Sequence, residues 1–203
     1  MLYRKQDSIA FLLVPRNGST SLRELLIGSG FKHPLIFADL EYGFFWHPTY
    51  RDCVGAYPAL SNYSMYGVFR DPVDRFTSAI RLVINQTERD TELTASSYEQ
   101  VIEKLFSWKH EAPPRKHGSM SKDVLSEIFK PQADWLDGPN VSVIRHAEFS
   151  ERVSEIVGVS KDQTGRRINA SDGARVMSEQ TIEFVKRKYA NDYAFAEKLG
   201  LTA

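Results

Sequence analysis

The feature that most narrows the fold is the run Ile9-Ala10-Phe11-Leu12-Leu13-Val14, followed at once by Pro15-Arg16-Asn17-Gly18-Ser19-Thr20. An unbroken apolar run without polar alternation suits a strand buried on both faces, and such strands belong to parallel sheets covered by helices. Pro15 and the Asn17-Gly18 pair break the run. Leu22, Leu25 and Leu26 then recur at helical spacing, and Gly28 to Gly30 ends that helix. The segment therefore reads as strand, small-residue loop and helix.

The rest of the chain repeats this alternation. Leu35-Ile36-Phe37-Ala38 predicts a second short strand, followed by an aromatic stretch from Tyr42 to Trp46 whose form the pattern leaves open. Tyr66–Phe69 predicts a third strand. Asp71 and Pro72 suit the N-cap and first position of a helix with Val73, Phe76, Ile80 and Val83 on its buried stripe. From Asn85 to Ser121 the chain is polar, with one helix starting at the Ser97/Gln100 capping box and a loop across Glu111–Gly118. Val124, Leu125, Ile128 and Phe129 suggest a short helix, and Val141–Ile144 a fourth strand. Glu151–Val157 predicts a helix ended by Gly158. A last helix starts at Ser178, carries Ile182, Val185, Tyr189, Ala196 and Leu199 on one face, and stops at Gly200. Strands alternating with helices predict a single α/β domain over residues 1–203, a layered sandwich with a mainly parallel central sheet.

Charge limits the partners. Lys plus Arg and Asp plus Glu number 26 each, so the formal net charge is zero. Nucleic-acid coats and polybasic membrane anchors need an excess of cations, and neither is expected here. A small anion needs only a few well-placed arginines. Cys53 is the one cysteine, which excludes an intrachain disulfide and a Cys-rich zinc site and leaves a small, partly buried thiol rather than a nucleophile as the expectation. His33, His110, His117 and His146 lack metal-ligand spacing and read as surface or structural residues; no metal is expected. Ile9–Val14 is too short to span a bilayer, so a complete chain is expected to be cytoplasmic.

The loop from Pro15 to Ser21 carries the first chemistry. It joins a buried strand to a helix N-terminus, where open N–H groups and the positive end of the helix dipole attract an anion. Gly18 permits close backbone approach, Ser19, Thr20 and Ser21 supply hydroxyls, and Arg16 adds a fixed charge. No lysine stands where a Walker A motif places one, which counts against triphosphate hydrolysis. A second constellation is Arg70-Asp71-Pro72-Val73-Asp74-Arg75-Phe76-Thr77-Ser78. Arg70 follows a strand at its C-terminal end, the edge where open α/β sheets bind ligands, and Ser78 lies on the helix beyond.

Together, in this order, the segment Phe11–Leu22 resembles the 5′-phosphosulfate loop of sulfotransferases that use 3′-phosphoadenosine 5′-phosphosulfate (PAPS), and Val68–Ala79 resembles their 3′-phosphate motif. Lys130-Pro131-Gln132-Ala133-Asp134-Trp135-Leu136 and the tail from Asn169 to Leu199 are similar to the membrane-type carbohydrate branch. Arginine at position 16 departs from the lysine common in this loop but keeps the charge. The resemblance implies a P-loop-like three-layer sandwich and in-line sulfuryl transfer to a hydroxyl acceptor, a glycan or small molecule. It implies that Arg16, Asn17, Gly18, Ser19, Thr20 and Ser21 hold the 5′-phosphosulfate and Arg70 with Ser78 the 3′-phosphate, with Arg166 or Arg167 closing over it. A base must take the acceptor's proton: His47 is the first candidate and Glu41 its rival. The unmatched stretch 85–121, with Arg115 and Lys116, would be an acceptor-side insertion. If an anchor once preceded the chain, its compartment would be the Golgi lumen. Competing expectations are a small P-loop nucleotide kinase and a non-catalytic binder of adenosine 3′,5′-bisphosphate.

Overall fold

A computed structural model describes residues 1–33, 47–87, 128–160 and 177–201. The expected strand at Leu35–Ala38, the aromatic stretch, the Ser97 helix and the Glu111–Gly118 loop lie outside the described residues. The chain divides into two compact units. The first comprises Met1–Asp71, Pro131–Ala170 and Asn191–Ala203, the second Pro72–Lys130 and Ser171–Ala190.

The first unit holds a four-stranded sheet in the order β1 (Leu2–Arg4), β2 (Ile9–Leu12), β3 (Ser64–Phe69), β4 (Val141–Arg145). Strands β2, β3 and β4 are parallel, with Leu12 opposite Gly67 and Phe69 opposite Arg145. The predicted α/β class with a mostly parallel sheet is what forms. Strand β1 was not expected from the polar N-terminus. It pairs antiparallel with β2, Leu2 opposite Phe11, because the short link Lys5–Ser8 has no room for a crossover.

Side-chain alternation sends successive residues of the central strands to opposite faces. Ala10, Leu12, Val14, Met65 and Phe69 join Cys53, Trp135, Leu136, Phe195 and Ala196 in one buried cluster. These partners come from α2 (Tyr50–Ala56), α4 (Ala133–Leu136) and α7 (Ala190–Lys198). Phe11, Leu13, Val68 and Ile144 face the other way, against Leu22 and Leu26 of α1 (Ser19–Gly28) and Val153 and Val157 of α5 (Phe149–Val157). Helices thus cover both faces, as the unbroken apolar run required. Each large side chain buried this way contributes roughly 1.5–3 kcal/mol.

The predicted helix stops recur: Gly158 and Gly200 take φ of 77° and 65° just beyond α5 and α7. Helix α2 was not anticipated. Its cap is Thr49, whose hydroxyl accepts from Asp52 N while the Asp52 carboxylate accepts from Thr49 N, a capping box with aspartate in the usual glutamate place.

The second unit is built on α3 (Pro72–Thr87) and α6 (Glu179–Lys188). Phe76, Ile80, Met177, Val185 and Tyr189 form its buried cluster, with Val73, Phe129 and Ile182 packed against it. Three of the four predicted stripe positions of α3 are therefore interior; Val83 lies beyond the described side chains. Arg75 is only 2% exposed, and its guanidinium donates to Lys130 O at 2.8 Å and Ile128 O at 2.9 Å. The single last helix expected from the pattern is corrected to two. Ser178 caps α6 by accepting from Thr181 N, but the helix breaks at Tyr189 (φ −107°, ψ 30°) and α7 begins anew. Tyr189 is committed to the second unit, where its hydroxyl donates to Phe129 O, and Asp192 to the first. Leu199, expected on the buried face, is 43% exposed. No described helix is long and apolar enough to cross a membrane.

Candidate functional site

The loop after β2 is shaped by two residues in the left-handed region, Arg16 at φ 67° and Gly18 at φ 79°. For Gly18 this conformation is free. For Arg16, which has a β-carbon, it costs on the order of 1 kcal/mol. Gly18 is the N-cap of α1; it brings no side chain to the first turn, and that turn contains no acidic residue. The amides at the start of α1 therefore lack intrahelical acceptors. Ser19 and Ser21 are half-buried and Thr20 is exposed at this end.

Asn17 points the other way. It is 1% exposed, and its amide Nδ2 donates to Val68 O and to Gln132 Oε1, each at 2.5 Å. Its role is to fasten the loop to the interior rather than to present a polar atom at the surface. Arg70, the residue after β3, donates from Nη1 to Arg16 O at 3.3 Å. The two motifs singled out in the sequence thus meet across one hydrogen bond at the C-terminal edge of adjacent parallel strands. Ser78 sits on α3 in the second unit and is 7% exposed.

His47 lies beside the same edge. Its Nδ1 bonds Leu13 O, and its own carbonyl accepts from the indole Nε1 of buried Trp135 at 2.8 Å. A carbonyl oxygen has no proton to give, so Nδ1 must carry the hydrogen. In the neutral ring Nε2 is then left with its lone pair, the form that accepts a proton. Glu41, Arg166 and Arg167 lie outside the described residues.

Sequence reasoning missed three neighbours of this site. Gln132, fully buried, accepts from Asn17 Nδ2 and from Arg70 N, and donates to Arg70 O. Asp192, also fully buried, accepts from Ala133 N at 2.9 Å and from Gln132 Nε2 at 3.4 Å. His146, read as surface or structural, follows β4, and a β-carbon on Gly18 would lie 3.9 Å from its Nε2. Gln132 and Asp192 stand in segments already marked by resemblance, but neighbours such as exposed Asp134 and Asn191 gave no sign that either side chain is buried. Cys53 is excluded as a nucleophile, because burial pushes its thiol up to about 12. In comparisons with protein-family profiles, curated proteins and solved structures, no match to the chain was found.

Proposed function

We propose that the chain is a PAPS-dependent sulfotransferase of P-loop-like architecture acting on a hydroxyl acceptor. The observation that carries this reading is the hydrogen bond from Arg70 to the carbonyl of Arg16, which brings an anion loop and a second guanidinium to one strand edge. A nucleotide with separate 5′ and 3′ phosphates is the ligand class suited to two such elements. The 5′-phosphosulfate would lie on the amides and hydroxyls of Gly18 to Ser21. The 3′-phosphate would lie toward Arg70, with Ser78, Arg166 and Arg167 as further candidates from the resemblance.

In the transfer step the acceptor oxygen attacks sulfur, and the bond from sulfur to the bridging phosphate oxygen breaks. The electron pair stays on that oxygen as adenosine 3′,5′-bisphosphate departs. Arg16 and the first-turn amides of α1 stabilise the charge growing there. The acceptor's proton passes to Nε2 of His47; Glu41 is the rival base. Positioning and charge stabilisation suffice for this class of transfer, as in phosphoryl transfer. The acceptor class, a glycan hydroxyl, rests on the resemblance of the Lys130–Leu136 segment and the C-terminal tail alone.

The test is transfer of labelled sulfate from PAPS to a panel of glycans and small alcohols, with calorimetry of adenosine 3′,5′-bisphosphate in EDTA. Saturable bisphosphate binding with turnover of one acceptor is expected. Binding without any turnover would make the chain a silent nucleotide binder, and a preference for Mg-ATP would make it a kinase.

A further inference from the structure

We propose that Gln132 is a positioning residue that sets the spacing between the loop anion site and Arg70, and hence the preference for a ligand with two anionic groups. The inference rests on the nucleotide reading above.

A carboxamide has two acceptor lone pairs and two N–H donors. Gln132 uses all four, at 0% exposure. Its Oε1 accepts from Asn17 Nδ2 at 2.5 Å and from Arg70 N at 3.0 Å. Its Nε2 donates to Arg70 O at 2.8 Å and to Asp192 Oδ2 at 3.4 Å. The ladder between β3 and β4 ends at Phe69 opposite Arg145. One residue later the Gln132 side chain binds both the N–H and the C=O of Arg70, so it continues the pairing as a neighbouring strand would. The backbone from which the Arg70 guanidinium departs is thereby fixed.

The same amide holds the loop. Asn17 stands between Arg16 and Gly18, and its Nδ2 bridges Gln132 Oε1 and Val68 O. Asp192 decides which way round the amide sits. Its carboxylate is held by Ala133 N and, when ionised, accepts only, so it selects the –NH2 end of Gln132 and leaves Oε1 for Asn17. Three of the four bonds end on Asn17 or on the Arg70 backbone. Loosening Gln132 therefore changes the distance between two anion-binding groups, whereas each group alone keeps its own chemistry. A misplacement of about 1 Å in such a constellation costs roughly 10²-fold.

The test compares adenosine 3′,5′-bisphosphate with adenosine 5′-monophosphate, which has a group for the loop alone, by calorimetry on wild type, Gln132→Glu and Asn17→Ala. Gln132→Glu conserves shape, removes both donations and sets a second carboxylate against Asp192. Bisphosphate affinity should fall about 10²-fold and monophosphate affinity less than about threefold. In an Arg70→Ala background, Gln132→Glu should cause no further loss of bisphosphate affinity. Equal losses for both ligands, or full additivity with Arg70→Ala, would overturn the assignment. If Gln132→Glu does not fold, Asn17→Ala carries the same comparison, because it cuts the loop from Gln132 while leaving Arg70 held. If the wild type binds neither nucleotide, the nucleotide reading fails. The positioning role is then judged by hydrogen exchange: in Gln132→Ala the Arg70 amide should lose protection while Val68 and Phe69 keep theirs. Unchanged protection at Arg70 would sink it.

Discussion

His47 is held at two points, its Nδ1 on Leu13 O and its carbonyl accepting from the Trp135 indole. On the proposed role of His47 as base, this anchoring yields a measurable division. His47→Ala should lower kcat by roughly 10²–10⁴-fold, the usual size of a general-base contribution, and leave the Kd for adenosine 3′,5′-bisphosphate nearly unchanged. Steady-state kinetics beside calorimetry reads both. Near-normal turnover in His47→Ala, with collapse in Glu41→Ala, would move the base to Glu41. Cys53 makes the opposite case, a reactive element made inert by its surroundings. Fully buried against Ala10 and Trp135, with its thiol pushed up to about 12, it holds almost no thiolate at neutral pH. Folded protein should resist iodoacetamide at pH 8 and react promptly once unfolded in guanidinium. Stoichiometric labelling of the native state would show that the Cys53 face opens far more readily than its burial implies.

At the scale of single elements, β3 shows what packing requires of sequence. A β-carbon on Gly67 would lie 2.2 Å from Leu136 Cδ2, and Leu136 is 1% exposed with no solvent to turn into. Glycine here is a demand of close approach between strand and α4, not of backbone conformation. Gly67→Ala should destabilise the fold by roughly 1–3 kcal/mol through overpacking. Adding Leu136→Ala should recover part of that loss, a sign of direct coupling that urea unfolding of the single and double variants would reveal. Additive losses would mean that the strand moves instead. The glycine was visible in the sequence but its partner, far along the chain, was not. The legible elements were those that announce themselves locally, such as the Ser178 cap and the Gly158 and Gly200 stops. Helix α2 was missed because its capping box uses Asp52. The α6–α7 break was missed because Tyr189, Asp192 and Ala196 keep helical spacing straight through it, and the period alone does not show that Tyr189 and Asp192 belong to different units.

For the whole molecule, the same distinction decides what could be read. Parallel pairing followed from unbroken apolar runs alternating with helices, and the candidate anion loop was singled out from chemistry packed into a few adjacent residues. The buried network did not, since it joins Asn17 to Gln132 across 115 positions and Gln132 to Asp192 across 60. The division into units is non-local in the same way, and it predicts a failure of dissection. The segment Pro72–Lys130 supplies Phe76 and Ile80 to the second unit's cluster, with Val73 and Phe129 beside them. Met177, Val185 and Tyr189, the other side of that cluster, arrive only with Ser171–Ala190. Phe76 alone stacks near Phe129, Phe184 and Tyr189, at centroid distances of 5.6, 6.4 and 6.1 Å. A fragment of residues 72–130 lacks two of those three rings and the helix that carries Val185. Isolated helices of this length are marginal in water, and stability must come from a packed apolar face. The fragment should therefore show weak helical circular dichroism and no cooperative thermal transition. In the intact chain Phe76→Ala should cost roughly 3–5 kcal/mol, as large-to-small core substitutions of phenylalanine do. A cooperative melt from the fragment alone would mean that residues 72–130 possess a sufficient core of their own, and that α6 adds to the second unit without being needed to form it.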